Sequence, residues 1–264
     1  MTADNGRRPA ATRHASPMDR RAIDIETPDG VADAYLVVPE GEPRPGVLLM
    51  MDAFGLRPQI EEMADRIAAQ GYAVLAPNLF YRAGRAPLWP MPNLSEEGAR
   101  GAFFAAVKPL MAALTPEHMA TDGAAYLEAL ATVATPGPVA VTGYCMGARA
   151  AWRIAAAHPD GVAALAGFHG GGLATDDPGS PHRSAGALRA TVYLGHADHD
   201  ASNTSEQIAT MDTALEAAGI EHKTEVYEDA PHGFTMADTP SYRADAAARH
   251  DEALSALLSA TLGA

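Results

Sequence analysis

Along this chain, short and almost wholly apolar runs alternate with longer stretches in which apolar positions return every three to four residues. A continuous apolar run suits a parallel strand covered on both faces, and the 3.6-residue period suits a helix buried along one side. The first such run is Gly46-Val47-Leu48-Leu49-Met50-Met51, and it ends in the loop Asp52-Ala53-Phe54-Gly55. Pro58 then opens a helix with Ile60, Met63, Ala64, Ile67 and Ala68 on one stripe, closed by Gly71. Tyr72–Pro77 is the next strand, so the unit is β-α-β. Further strands are predicted at Val139–Tyr144, Val162–Gly167, Thr191–Leu194 and Lys223–Tyr227. Helices are predicted after Ser95, from Thr115-Pro116-Glu117, directly after Cys145, over Ser205–Ala218 with Gly219 closing it, and from about Tyr242 to Leu262. Upstream, residues 21–39 alternate and turn at Pro28-Asp29-Gly30, the pattern of a hairpin. Trp89-Pro90-Met91-Pro92 fits no regular element and is expected to overhang a pocket. Together these elements predict an α/β protein: a doubly wound, mostly parallel sheet with helices on both faces.

Size and charge narrow the functions open to such a fold. The chain has 264 residues, enough for one domain with a large core, expected over residues 21–264 after a disordered tail over 1–20. That tail lacks the apolar centre of a secretory signal. A formal charge of −14 makes nucleic acid a poor partner, because phosphate binding needs clustered Lys and Arg. No apolar stretch approaches the roughly 18 residues of a membrane span. The lone cysteine, Cys145, cannot form an internal disulfide, which fits a reducing cytoplasm. A small-molecule partner remains the expectation, with monomer and homodimer both open.

The strand ending at Tyr144 runs straight into Gly143-Tyr144-Cys145-Met146-Gly147 and a helix rich in alanine. Gly-x-Cys-x-Gly between strand and helix reads as a nucleophile elbow with cysteine in place of serine. The two glycines let strand and helix approach, and the helix N-terminus favours a thiolate and later an oxyanion. In a parallel sheet the site lies at the C-terminal ends of the strands. Cys145, Asp198 and His232 fall there in that order, which is the chain order of the α/β-hydrolases. Cys145 would attack, His232 would hold and return the proton, and Asp198 would orient the imidazole, with Asp200 as its competitor. The N–H groups of Met146 and Ala53 would form the oxyanion hole. His169, in His169-Gly170-Gly171-Gly172, reads as a pocket wall. His196, His199 and Asp200 suggest a metal site, yet nothing completes the ligand set, so no metal is expected.

These motifs, with His232-Gly233-Phe234 and Asn78-Leu79-Phe80-Tyr81-Arg82, resemble the dienelactone hydrolase family over residues 22–262. The resemblance implies an α/β-hydrolase fold and cofactor-free hydrolysis of lactones or esters through a Cys-His-Asp triad. Where the family carries a glutamate touching the resting thiol, this chain has Asp52, which could equally cap the helix after Phe54-Gly55. Arg82 matches the first of two arginines that bind a substrate carboxylate; at the second position stands Met236. Phe54 and Trp89 complete the candidate substrate contacts. The expected activity is opening of a lactone or cleavage of a small carboxylic ester through a thioester. The alternative is a catalytically idle hydrolase fold that binds a ligand or senses oxidants through its thiol.

Overall fold

The computed structural model describes residues 17–263. Eight strands form one sheet in the order β1-β2-β4-β3-β5-β6-β7-β8. The antiparallel hairpin of β1 (Met18–Thr27) and β2 (Gly30–Pro39) forms one edge, and β2 pairs antiparallel with β4 (Ala73–Pro77). From β4 the sheet is parallel through β3 (Gly46–Met50), β5 (Val139–Tyr144), β6 (Val162–Phe168), β7 (Thr191–Ala197) and β8 (His222–Tyr227). Every residue of β3, β4 and β5 is buried, as expected of strands that read as unbroken apolar runs. The expected tail over residues 1–16 lies outside the described residues; Met18, Asp19 and Arg20, also placed in it, instead begin β1 and pair with Pro39, Val38 and Val37.

Each parallel strand but β6 is followed by a helix that the sequence announces; β6 leads instead to a 3₁₀ turn over Pro181–Ala187. Helix α1 (Pro58–Ala68) buries Ile60, Met63, Ala64, Ile67 and Ala68. Helix α3 (Pro116–Ala131) is capped by Thr115, whose side chain accepts from the His118 N–H, with Pro at its start and Glu117 in its first turn. Helix α5 (Ser205–Ala217) opens with a full capping box between Thr204 and Gln207. Helix α6 (Ala244–Leu262) ends at Gly263, and its Asp251 meets Arg66 of α1. Helix α4 (Met146–Ala157) starts at the elbow and buries Ala148, Ala150, Ala151, Trp152 and Ala155 against the sheet. Helix α2 (Ala99–Ala112) buries only Val107 fully, and its Phe103 and Phe104 pack towards the loop after β3. Among the described residues no helix is long and apolar enough to cross a membrane.

Candidate active site

The elbow has the geometry its glycines announce. Cys145 is held at φ 56°, ψ −117°, a backbone state that a non-glycine residue occupies only under constraint. The constraint comes from packing on both sides. A Cβ on Gly143 would stand 2.1 Å from the Gly147 carbonyl oxygen, and one on Gly147 would stand 2.4 Å from the carbonyl oxygens of Met50 and Met51. No side chain fits either place, so the turn keeps both glycines. Cys145 is a free thiol at the mouth of α4, half-buried.

Five neighbouring parallel strands, β3, β5, β6, β7 and β8, deliver the site from their C-terminal ends. Cys145, Ala53, His169, His232 and Met236 line one small cavity. His232 stands between Cys145 and a carboxylate, its Nδ1 2.6 Å from an oxygen of Asp200. That carboxylate belongs to Asp200 and not to Asp198, which corrects the sequence reading. Asp198 accepts the Asp229 N–H at 3.1 Å and gives its own N–H to the Ala230 carbonyl, so it staples the loops after β7 and β8. The strand predicted over Thr191–Leu194 stops too early. Residues Gly195, His196 and Ala197 remain in β7 and pair with Glu225, Val226 and Tyr227. Gly195 is small because a Cβ there would meet the Phe168 and Tyr227 rings at 2.8 and 2.9 Å. The loop therefore starts later, turns at His199 (φ 51°) and aims Asp200 back at the imidazole.

The charges around this row support one another. Burial by itself would depress the His232 pKa, but the sulfur of Cys145 and the Asp200 carboxylate outweigh it and push it up to about 10. Burial also opposes the Asp200 charge, yet His232 and the Ser202 N–H and hydroxyl hold it below the usual carboxylate range. For His232 the shift is upward, so the protonated form and its ion pair persist through neutral pH and are lost as pH rises through about 10. His169, buried at φ 38°, packs edge-on against His232 at 5.2 Å and bonds Thr235 through Nε2 at 2.8 Å. Burial first, and then His232, drives its pKa well down, so it stays neutral beside a charged neighbour.

The remaining candidates divide. Ala53 and Phe54 line the cavity, as does Met236. Asp52 also lines it, but its carboxylate is taken: Oδ1 accepts the Phe54 N–H at 3.0 Å, and both oxygens accept from Arg57 at 2.6 and 3.1 Å. Asp52 does not cap helix α1, whose N-cap Arg57 has no side-chain cap bond; its carboxylate instead closes a local turn at Phe54 and pairs with Arg57. Trp89 does not line the cavity; its indole N–H donates to the Phe54 carbonyl at 3.2 Å and its ring packs on Phe103. Arg82 does not line it either. It is held by Asp122 at 2.7 and 2.8 Å and by Asp29 at 2.6 Å, a paired structural cation away from Cys145. Two contributors were missed by sequence reasoning: Arg57, which follows the loop after β3, and α2, whose Arg100 and Phe104 line the cavity. Only the partly aromatic face of α2 could have signalled the latter. His196 bonds Asn203 at 2.9 Å and His199 is exposed, and no group of three or more His, Cys, Asp or Glu side chains among the described residues could hold a metal ion.

Several known proteins resemble this chain over most of its length. A provisionally assigned carboxymethylenebutenolidase of Escherichia coli strain K12 is 28% identical over 270 aligned positions, covering 93% of this chain and 92% of that one. A protein of the same provisional name from Yersinia pestis is 31% identical over 225 positions, covering 81% of this chain and 78% of its own. Among solved structures, a provisionally assigned dienelactone hydrolase of Klebsiella pneumoniae superposes with a TM-score of 0.81 at 24% identity, over 92% of this chain and 99% of that one, and so shares the α/β-hydrolase fold. The sequence profile described as the Dienelactone hydrolase family matches residues 32–262. With that match running from β2 to the end of α6 and spanning every loop of the site, the chain belongs to the dienelactone hydrolase family.

Proposed function

We propose that the protein hydrolyses a lactone or small carboxylic ester through a thioester on Cys145, with His232 as proton carrier and Asp200 as its orienting acid. The observation that carries this is His232, placed between Cys145 and Asp200 with its Nδ1 2.6 Å from the carboxylate. The Cys145 thiolate attacks the carbonyl carbon, and the developing oxyanion is received by the N–H groups of Met146 and Ala53. His232 gives its proton to the alkoxide as the C–O bond breaks, leaving the acyl group on sulfur. Water then attacks the thioester while His232 takes its proton, and the thiolate departs to restore the resting pair. An idle ligand-binding or thiol-sensing protein would need neither Asp200 nor a return of the proton.

The experiment is trapping. Acid quenching during turnover of an activated aryl ester should give an intact-mass increase equal to the acyl group, mapped to Cys145. Turnover with no adduct on Cys145 would sink the thioester route, and an adduct that never clears would favour the idle fold.

The wall of the site argues for a neutral substrate. Phe54, Phe104 and Met236 offer apolar and thioether surface. Arg82 is occupied by two carboxylates, and Arg57 serves both Asp52 and Asp238, which leaves that cluster with an excess negative charge. Arg100 is exposed and stacked at 5.3 Å over Phe104. An exposed cation contributes only about 0.2–1 kcal/mol to an ion pair. A buried charge-assisted contact is worth about 1.5–3 kcal/mol, so its absence costs an anionic substrate about tenfold to a hundredfold in kcat/KM. A matched pair of neutral and anionic esters should therefore favour the neutral one, and Met236→Arg should shift the ratio towards the anion. A wild-type preference for the anion that Arg100→Ala abolishes would overturn this.

A further inference from the structure

The proposed oxyanion donor Ala53 is clamped by a residue the triad does not contain. In the loop after β3 the Phe54 N–H is consumed by Asp52 Oδ1 at 3.0 Å and the Gly55 N–H by the Asp52 carbonyl at 3.1 Å. The Ala53 N–H between them has no acceptor among the described residues, and Ala53 lines the cavity with Cys145. Arg57 closes this turn from behind. It donates to both Asp52 oxygens at 2.6 and 3.1 Å and to the Gly55 carbonyl at 3.1 Å, and its plane lies 5.3 Å from the Phe54 ring centre. Its Nε and Nη2 also donate to Asp238, at 2.6 and 3.0 Å, and Nη2 lies 3.7 Å from the sulfur of Met236. Asp238 and Met236 stand on the segment that follows His232. Arg57 therefore joins the oxyanion loop to the histidine loop across 181 positions of sequence.

We propose that Arg57 is a positioning residue that fixes the Ala53 N–H against the reacting carbonyl and holds that loop in register with His232; this rests on the hydrolytic reading above. A planar fork is needed, because one flat group must meet two carboxylates and a carbonyl at once, which the point charge of lysine cannot do. Arg57 is 7% exposed and Asp52 is buried, so that half of the clamp is shielded from solvent and salt.

The test separates the oxyanion from the nucleophile. Alkylation of Cys145 by iodoacetamide expels iodide and develops no oxyanion, whereas ester cleavage does. Arg57→Lys should lower kcat on the order of 10²-fold, with KM changed by less than about threefold and the alkylation rate and its pH profile unchanged. Asp238→Asn keeps the Asp52 contacts and loosens only the link to the histidine loop, so it should lower kcat by about tenfold. It also serves if Arg57→Lys fails to fold. Unchanged kcat in a folded variant overturns the proposal. So does a fall in alkylation parallel to kcat, which would place the effect on the thiol–imidazole pair. Absence of hydrolysis by the wild type would instead refute the hydrolytic reading itself.

Discussion

Asp200→Asn is expected to lower kcat by about 10⁴-fold while the protein stays folded. The reason lies in how Asp200 is held. Its Oδ1 accepts the Ser202 N–H at 2.8 Å and the Ser202 hydroxyl at 2.7 Å, and its Oδ2 faces His232 Nδ1 at 2.6 Å. In the asparagine variant the amide oxygen must stay on the Ser202 side, since only an oxygen can accept those two bonds. The NH2 group then points at His232 Nδ1 and donates to it. This selects the tautomer with its proton on Nε2, which cannot take a proton from the thiol or from water. The same change removes a negative charge that raises the His232 pKa, so less imidazolium is held at neutral pH. Asp198→Asn should change kcat by less than about threefold, because an amide oxygen still accepts the Asp229 N–H at that staple. Measuring kcat for both variants on one activated ester decides the matter. A large loss at position 198 with little at 200 would reverse the assignment.

The elbow was legible because its cause is local. Two glycines flanking one residue between an apolar run and an alanine-rich helix have few other uses, and each proves to face a carbonyl oxygen that a Cβ would strike. His232 was legible from its place after the last strand, and the buried parallel strands from their unbroken apolar runs. What failed had non-local causes. Gly195 looks like a turn residue in sequence, yet it is small because two rings from neighbouring strands close on it. Shifting that strand end moved the acid from Asp198 to Asp200. Arg82 is expected from the resemblance to bind a substrate carboxylate, yet Asp29 and Asp122, far from it in sequence, neutralise it. Arg57 sat unremarked beside Pro58, since its partner Asp238 is 181 residues away and no periodicity links them. Residues 52–57 and 232–241 thus form one unit in space that the chain order conceals.

Cys145→Ala is expected to remove about 10⁶-fold of kcat, leaving only what the oxyanion donors and binding supply. Cys145→Ser should fall nearly as far, although it is the smallest possible change at the nucleophile. Serine keeps the strained elbow and its place beside His232, but its hydroxyl does not ionise under these conditions. Burial works against a charged His232, and the negative sulfur is the largest of the opposing influences that lift it to about 10. Without that charge only Asp200 supports the imidazolium, so the His232 midpoint must drop. The sign is clear: removing an anion beside a cation favours the neutral ring. The variant therefore loses both the preformed nucleophile and the preformed acid that protonates the leaving alkoxide, a coupled loss that separate substitutions would count twice. Nitrogen NMR of the His232 ring across the pH range, with kcat on the same ester, reads both effects. If His232 in Cys145→Ser still titrates near 10, or the variant retains more than about a tenth of wild-type kcat, the thiolate–imidazolium pair is not what drives this site.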